Sequence, residues 1–354
     1  MEIEPSASNE LITSGSTNYS NNTHLSIESN NINITSAKMI FCPEQNNSNN
    51  QIKTQIQNQV DLISNRQYNP KNELIMPEKS IKLFDYNFES KDELLSFAGE
   101  YLNEIYSNLL LDEQELQFKP KLGYMNDQND INEQMRAILI DWLIEVHYRF
   151  RLKSETLFQT VWIIDTYLSL KKITRAKLQL LGIASLLISC KSQEIYYPQL
   201  KELIDITDGA YVKSELLEME NNVLKILNFN IVSPTSNDFY NIIAKAFNFD
   251  KKHFFLGKYF LESSLIDYQM LKYSSSVIAV SCAYIVMKFF GINNYKILYT
   301  NDVVKEKCPQ KVIKDAAREI CFLVKNLSQS TLKAVKDKYS LSQFLNVAQY
   351  CEQK

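Results

Sequence analysis

The run Asn132-Glu133-Gln134-Met135-Arg136-Ala137-Ile138-Leu139-Ile140-Asp141-Trp142-Leu143-Ile144-Glu145-Val146 decides how the rest of the chain is read. Its apolar residues cover more than one face at helical spacing and are interrupted only by Arg136, Asp141 and Glu145. This predicts a helix over Gln134–Phe150 that is either central or reserves a second apolar stripe for a partner. Towards the C-terminus, the Leu152-Lys153-Ser154 break offers Ser154 as an N-cap for a helix over Glu155–Leu170. Helices over Arg175–Glu194, Gln199–Asp205 and Ser214–Leu227 follow, divided by the turns Tyr196-Tyr197-Pro198 and Thr207-Asp208-Gly209. Ser233-Pro234-Thr235 breaks the pattern, and a second succession begins: Asn237–Phe247, Lys251–Tyr268, Ser274–Phe290, Asn301–Lys307 and Gln310–Lys325. Two five-helix blocks of similar length suggest an internal duplication, on helix count alone. Towards the N-terminus, Leu94, Leu95, Phe97, Ala98, Tyr101, Leu102 and Ile105 keep helical spacing, so order is expected from about Lys91.

Composition agrees with an all-α protein. Among 354 residues there are only 7 glycines and 8 prolines, too few for the tight turns of a β-sandwich or a Rossmann fold. A hydrophobic fraction of 45 % with 22 % charged residues is that of a globular protein. The net charge of −3 gives no global attraction to nucleic acid or to an anionic membrane. Residues 1–85 are rich in Asn, Ser, Thr and Gln without useful periodicity, and are expected to be a disordered regulatory tail. The remaining segments are then 86–131 as an N-terminal helix and lead-in, 132–232 and 233–342 as the two helical domains, and 343–354 as a C-terminal tail. Cys42, Cys190, Cys282, Cys308, Cys321 and Cys351 form no CxxC pair. Several lie in apolar helical runs, where a reduced cysteine acts as a small hydrophobe, and a reducing compartment is expected.

The quoted run, with Tyr124-Met125 and Gln128-Asn129-Asp130-Ile131 before it, closely resembles the opening of the cyclin box of mitotic, B-type cyclins. The resemblance continues through Glu155-Thr156-Leu157, Ile163-Ile164-Asp165, Lys177-Leu178-Gln179-Leu180, Glu194-Ile195-Tyr196-Tyr197-Pro198 and Ile206-Thr207-Asp208. It covers about 93–342. His147 and the run Ala334-Val335-Lys336-Asp337-Lys338-Tyr339-Ser340 look like the B-type branch. Five positions that typify the box are matched by Arg136, Asp165, Leu180, Lys191 and Glu220.

Read on their own, Arg136 and Asp165 are opposite charges within apolar helices, and such charges are rarely buried unpaired. The resemblance implies that they pair and lock the first helix of the box to the second. A lysine near a helix C-terminus is ordinarily a solvated residue favoured by the dipole. The resemblance instead implies that Lys191 and Glu220 bind a partner kinase, aided by Leu224, Phe229 and Ile231, for which core packing is the alternative. Where the family places an aromatic residue and two acids after the lysine, this chain has Ser192-Gln193-Glu194.

Met135, Ile138, Leu139 and Trp142 form one stripe at i, i+3, i+4 and i+7, which is core in most proteins. In cyclins the same stripe is a groove for Arg-x-Leu substrates or inhibitors. There Gln179, Arg175 one turn before it, and Glu145 would complete a docking patch, leaving Ile140, Leu143 and Ile144 for the core.

By this resemblance the chain is a non-catalytic regulatory subunit that binds and activates a cyclin-dependent kinase as a heterodimer, recruits its substrates, and acts at the G2/M transition. It needs no cofactor or metal, binds neither nucleic acid nor membrane, and works in nucleus and cytoplasm. No GxGxxG, P-loop or His-rich cluster argues for an enzyme. The rivals are a transcription-type cyclin, a cyclin-fold transcription factor, for which a basic face and a zinc ribbon are missing, and a helical scaffold in which Lys191 and Glu220 are incidental. A ubiquitin ligase is the partner that would end the protein's life in mitosis. However, Arg66-Gln67-Tyr68-Asn69 lacks the leucine of an Arg-x-x-Leu destruction box, and no Lys-Glu-Asn motif replaces it.

Overall fold

The computed structural model describes residues 101–116, 119–296, 298 and 308–352. The expected tail over 1–85, the start of order near Lys91 with Leu94, Leu95, Phe97 and Ala98, and the expected helix Asn301–Lys307 lie outside the described residues. Every regular element among the described residues is helical. Helix α1 (Leu102–Glu115) precedes a first block of five: α2 (Glu133–Arg149), α3 (Ser154–Leu170), α4 (Arg175–Gln193), α5 (Leu200–Asp205) and α6 (Lys213–Ile226). The second block contains α7 (Ser236–Ala246), α8 (Lys251–Ile266), α9 (Ser275–Phe289) and α10 (Gln310–Leu327). The short helices α11 (Ala334–Tyr339) and α12 (Val347–Glu352) close the chain.

Each block is built around its third long helix. In α4 every residue from Leu178 to Cys190 is buried, and α3 and α6 pack along it. In α9 the buried run extends from Ser276 to Met287 with only two breaks, against α7, α8 and α10. Two glycines permit the closest approaches. A Cβ on Gly182 of α4 would come within 2.8 Å of Leu139 Cδ1 on α2, and one on Gly257 of α8 would overlap the Tyr240 ring of α7. Helix α2 is central as well: Ile140, Leu143 and Ile144 are fully buried.

Three expectations need correction. Ser154 is the first residue of α3 rather than its cap, and Lys153 stands in the cap position without a capping side chain. The carboxylate of Glu194, past the end of α4, takes over: it accepts from Lys153 N at 2.7 Å and from Thr156 Oγ1 at 2.5 Å. A negative charge there also suits the helix dipole. Lys251–Tyr268 ends as a helix at Ile266, because Asp267 accepts from Gln269 N and opens a 3-10 turn over Tyr268–Lys272. The segment 343–354 is not all tail, since Val347 and Ala348 of α12 are fully buried against the second block.

A seam of buried polar groups joins the blocks. Arg136 of α2 meets Asp165 of α3 in a two-pronged pair, Nε–Oδ1 2.6 Å and Nη2–Oδ2 2.7 Å. Tyr124 donates its hydroxyl to Asp165 at 2.8 Å. The remaining arginine nitrogen, Nη1, donates to the carbonyls of Leu265 and Ile266 in the second block at 3.1 and 3.2 Å. Further along, Glu262 of α8 accepts from Lys338 Nζ twice at 2.7 Å and from Tyr339 Oη at 2.8 Å. Glu155 of α3 accepts from the Asn237 and Asn241 amides of α7, and Lys258 of α8 donates to Asn237 Oδ1. Asp141 of α2 accepts from Ala334 N of α11 at 3.1 Å. Each of these buried charged groups thus has at least one hydrogen-bond partner, as the cost of leaving one unsatisfied demands.

His147 is buried beside this seam, where Nε2 donates to Lys153 O at 2.9 Å. Its Nδ1 has no hydrogen-bond partner among the described residues. Burial, followed by the nearby Lys338 ammonium, drives its pKa down from 6.5 to about 4. The folded state therefore disfavours the charged imidazole, and this contribution to stability, full above pH 6.5, is lost as pH falls towards 4. Asp141 acts in the opposite sense: burial raises its carboxyl to about 7, so its contribution is full below 3.8 and lost as pH rises through 7. Urea unfolding of wild type and His147→Leu at pH 7 and pH 5 separates the two. The wild type should lose more stability between these pH values than the variant, and equal losses would place the pH sensitivity elsewhere.

Candidate functional site

The ends of α4 and α6 share one edge of the first block. Lys191, in the last turn of α4, pairs with Glu220 of α6 at 2.5 Å, with the lysine side chain 41 % exposed and the glutamate nearly covered. Two amides extend this edge. Gln193 donates to Gln159 Oε1 at 2.8 Å, and Gln159 donates to Ile231 O at 2.8 Å. The extended segment after α6 is thereby held beside the end of α4.

That segment begins with backbone strain. Asn228 and Phe229 are both left-handed, with φ of 50° and 58°. Asparagine tolerates this region, whereas a residue such as phenylalanine loses roughly 1–2 kcal/mol there. The Phe229 amide closes α6 by donating to Leu224 O at 2.8 Å. Its ring projects outward and is 65 % exposed, and Val232 is 71 % exposed. Leu224 and Ile231 are half-buried, so they serve both core and surface. The turn after α4 adds Ile195 and Tyr196, the latter 92 % exposed. A hydrogen-bonded ion pair is thus flanked by large apolar side chains that the fold leaves uncovered. Such a patch marks a protein-binding surface. The residues singled out from the sequence, Lys191, Glu220, Leu224, Phe229 and Ile231, lie together here. Ile195, Tyr196 and Val232 were not singled out. The signal was present in an aromatic turn without helical period, a few residues beyond Lys191.

The α2 stripe is different. Trp142 is only 5 % exposed, and Leu139 and Gln179 are also buried. The expectation of an exposed patch centred on tryptophan is therefore corrected. Leu139 is spent on the close contact with Gly182. What remains at the surface is half-buried Met135, Ile138 and Glu145. Arg175 is exposed and held by Asp130, which accepts from its backbone N and its Nε, both at 2.9 Å. Burial, then Asp337, raises the pKa of Glu145, and Glu145 in turn raises that of Asp141. These carboxylates make this rim receptive to a cation. Among the described residues no grouping of His, Cys, Asp and Glu could hold a metal ion, and Cys190, Cys282 and Cys308 are buried free thiols.

Among the described residues, a first block of five helices and a second of four, each wound on its buried third long helix, follow one another along the chain as two tandem all-helical domains. Residues 104–232 match the family model "Cyclin, N-terminal domain", and residues 234–353 match "Cyclin, C-terminal domain". The chain belongs to the cyclin family, and its relatives are of the B type. It is 45 % identical to Cyclin-B2-1 of Oryza sativa subsp. japonica over 187 residues, covering 53 % of this chain and 44 % of that protein. It is 34 % identical to G2/mitotic-specific cyclin-B of Hydra vulgaris over 255 residues, covering 72 % of this chain and 68 % of that one. The chain thus spans about half the length of the rice relatives it matches. The same fold occurs in the crystal structure of a viral cyclin from herpesvirus saimiri, with TM-score 0.51 and 20 % identity, covering 61 % of this chain and 97 % of that one.

Proposed function

We propose that this chain is the non-catalytic regulatory subunit of a heterodimer with a cyclin-dependent protein kinase, which it binds and activates at the G2/M transition. The observation that carries the reading is the Lys191–Glu220 pair set among exposed Ile195, Tyr196, Phe229 and Val232. Activation is a bias on a two-state partner. The adaptor binds the kinase conformation in which its regulatory helix is swung inward and its activation loop is open, and so stabilises it. That conformation completes the lysine–glutamate pair that positions ATP phosphates. Tyr196 supplies an exposed aromatic side chain near the place where Ser192 lacks one. The mitotic names of the relatives speak against a transcription-type role. The finer parts of the proposal are action in nucleus and cytoplasm, and turnover through a ubiquitin ligase by a signal other than a standard destruction box.

The test is a pull-down of kinase from extract, with histone-type phosphorylation as the readout, on wild type and a Lys191→Ala, Glu220→Ala double variant. Removing a desolvated, hydrogen-bonded charge from an interface costs about 2–5 kcal/mol, about thirtyfold to several thousandfold in affinity. Wild type should recover an active kinase and the variant should not. A folded wild type that recovers none would sink the reading.

The α2 rim is proposed to dock Arg-x-Leu substrates or inhibitors, with Glu145 taking the arginine beside Met135 and Ile138. Because Trp142 is buried, Trp142→Ala would confound docking with folding. Met135→Ser, Ile138→Ser is the sharper variant. It should spare kinase binding and slow phosphorylation of Arg-x-Leu substrates about tenfold, as expected for losing one to two kcal/mol of apolar contact. Equal slowing of a substrate without the motif would count against docking.

A further inference from the structure

The second block carries a surface that the proposed kinase and substrate contacts leave unused. Between α9 and α10 lies an open groove lined by Tyr284, Ile285, Lys288, Phe289, Lys314, Ala317, Arg318 and Cys321. Its floor is apolar, with Ile285 and Ala317 buried and Phe289 half-buried. Its walls carry Lys288 on one side and Lys314 and Arg318 on the other, while no carboxylate is among its described lining. The cations of α10 stand at i and i+4, on one face of the helix. Two described acids close to the groove, Asp315 and Glu319, already have partners. Asp315 holds Arg318 at 2.6 Å in an exposed pair, the kind that contributes little and exchanges readily. Glu319 is committed to Lys272 and Tyr273.

A second observation reports the positive field. Tyr295, in the 3-10 turn Asn293–Lys296, lies under the Lys288 ammonium at 3.8 Å and meets Tyr284 edge-on at 5.7 Å. Its phenol is shifted towards ionisation by Lys288 first, with Lys296 and Lys314 adding to the effect. Cations from three separate elements therefore converge on one place in a chain whose net charge is −3.

From this juxtaposition we propose that the α9–α10 groove docks an acidic peptide segment of a protein partner. Its glutamates or aspartates would meet Lys288, Lys314 and Arg318 around an apolar side chain seated on Ile285 and Ala317. The apolar floor and the shortness of the cationic cluster favour a peptide over nucleic acid, which draws on a long row of phosphate contacts. The groove is on the second block, so its occupation does not require the surface formed by α4 and α6.

The experiment is fluorescence anisotropy of the full chain with a labelled peptide of glutamate and serine around one central phenylalanine. Binding should weaken as salt is raised, and it should weaken about tenfold in a Lys288→Glu, Lys314→Glu variant, as expected for reversing two rim charges. A Lys288→Gln, Lys314→Gln variant decides the matter if the reversal disturbs folding, which the unfolding midpoint reports. It should weaken binding by a smaller but measurable factor. A peptide with serine in place of phenylalanine should bind less tightly. Affinity unchanged in both lysine variants, or single-stranded DNA of equal charge competing as well as the peptide, would overturn the proposal.

Discussion

Arg136→Ala should cost about 3–5 kcal/mol of folding stability, the range seen when one partner of a buried ion pair is removed. The reason is the number of groups left behind. Asp165 would remain buried with only the Tyr124 hydroxyl, and the Leu265 and Ile266 carbonyls would lose their donor. Chemical denaturation measures the effect as a lower midpoint at unchanged slope. An apolar pair, Arg136→Met with Asp165→Leu, should recover much of the loss on the first-block side, since swapping both charges for packed apolar groups is often neutral. It would still leave the two carbonyls unsatisfied, at about 1–3 kcal/mol each when fully desolvated. A loss below about 1 kcal/mol for Arg136→Ala would mean that the pair behaves like a surface bridge.

Glu262→Ala is expected to be comparably severe, again about 3–5 kcal/mol. Glu262 is fully buried and receives three hydrogen bonds, two from Lys338 Nζ and one from Tyr339 Oη. Without it the Lys338 ammonium is left uncompensated, and the adjacent His147 loses the one carboxylate on α8 that favours its charged form. The imidazole, already held down near 4, should then be harder still to protonate. Glu262→Gln keeps the shape and one acceptor and should fall between wild type and alanine. An alanine variant that unfolds at the wild-type midpoint would show that α11 holds to the second block by apolar contact alone.

Much of this architecture was legible in the chain, and the boundaries show why. Helices with a strong apolar period began and ended within a residue or two of expectation, because break signals such as Ser233-Pro234-Thr235 act locally. That the charges of Arg136 and Asp165 would need partners followed from their apolar surroundings, and that they pair with each other, as the structure shows, was what the resemblance implied. Contacts that depend on distant chain were not legible. Nothing near Lys153 announces that Glu194, at a separation of 41, will cap α3, and nothing near Arg136 points to carbonyls at 265 and 266. The α2 stripe failed for a related reason. Periodicity says which residues share a face, but only the approach of α4 through Gly182 decides that Leu139 on that face is covered. The exposed aromatics around Lys191 were partly missed because a turn has no period from which burial can be read.

The two hydrogen bonds from Arg136 to Leu265 and Ile266 bear on how the chain comes apart. These carbonyls belong to the last turn of α8, where a helix has no internal donors left to satisfy them. The C-terminal cap of a second-block helix is therefore a side chain from the first block, which is itself oriented by Asp165. Neither block completes its own hydrogen bonding, so the repeat visible in the helix order is not a pair of independent modules. The molecule gains or loses its two halves together, and severing the linker between them would leave two fragments, each with part of its interior polar chemistry unfinished.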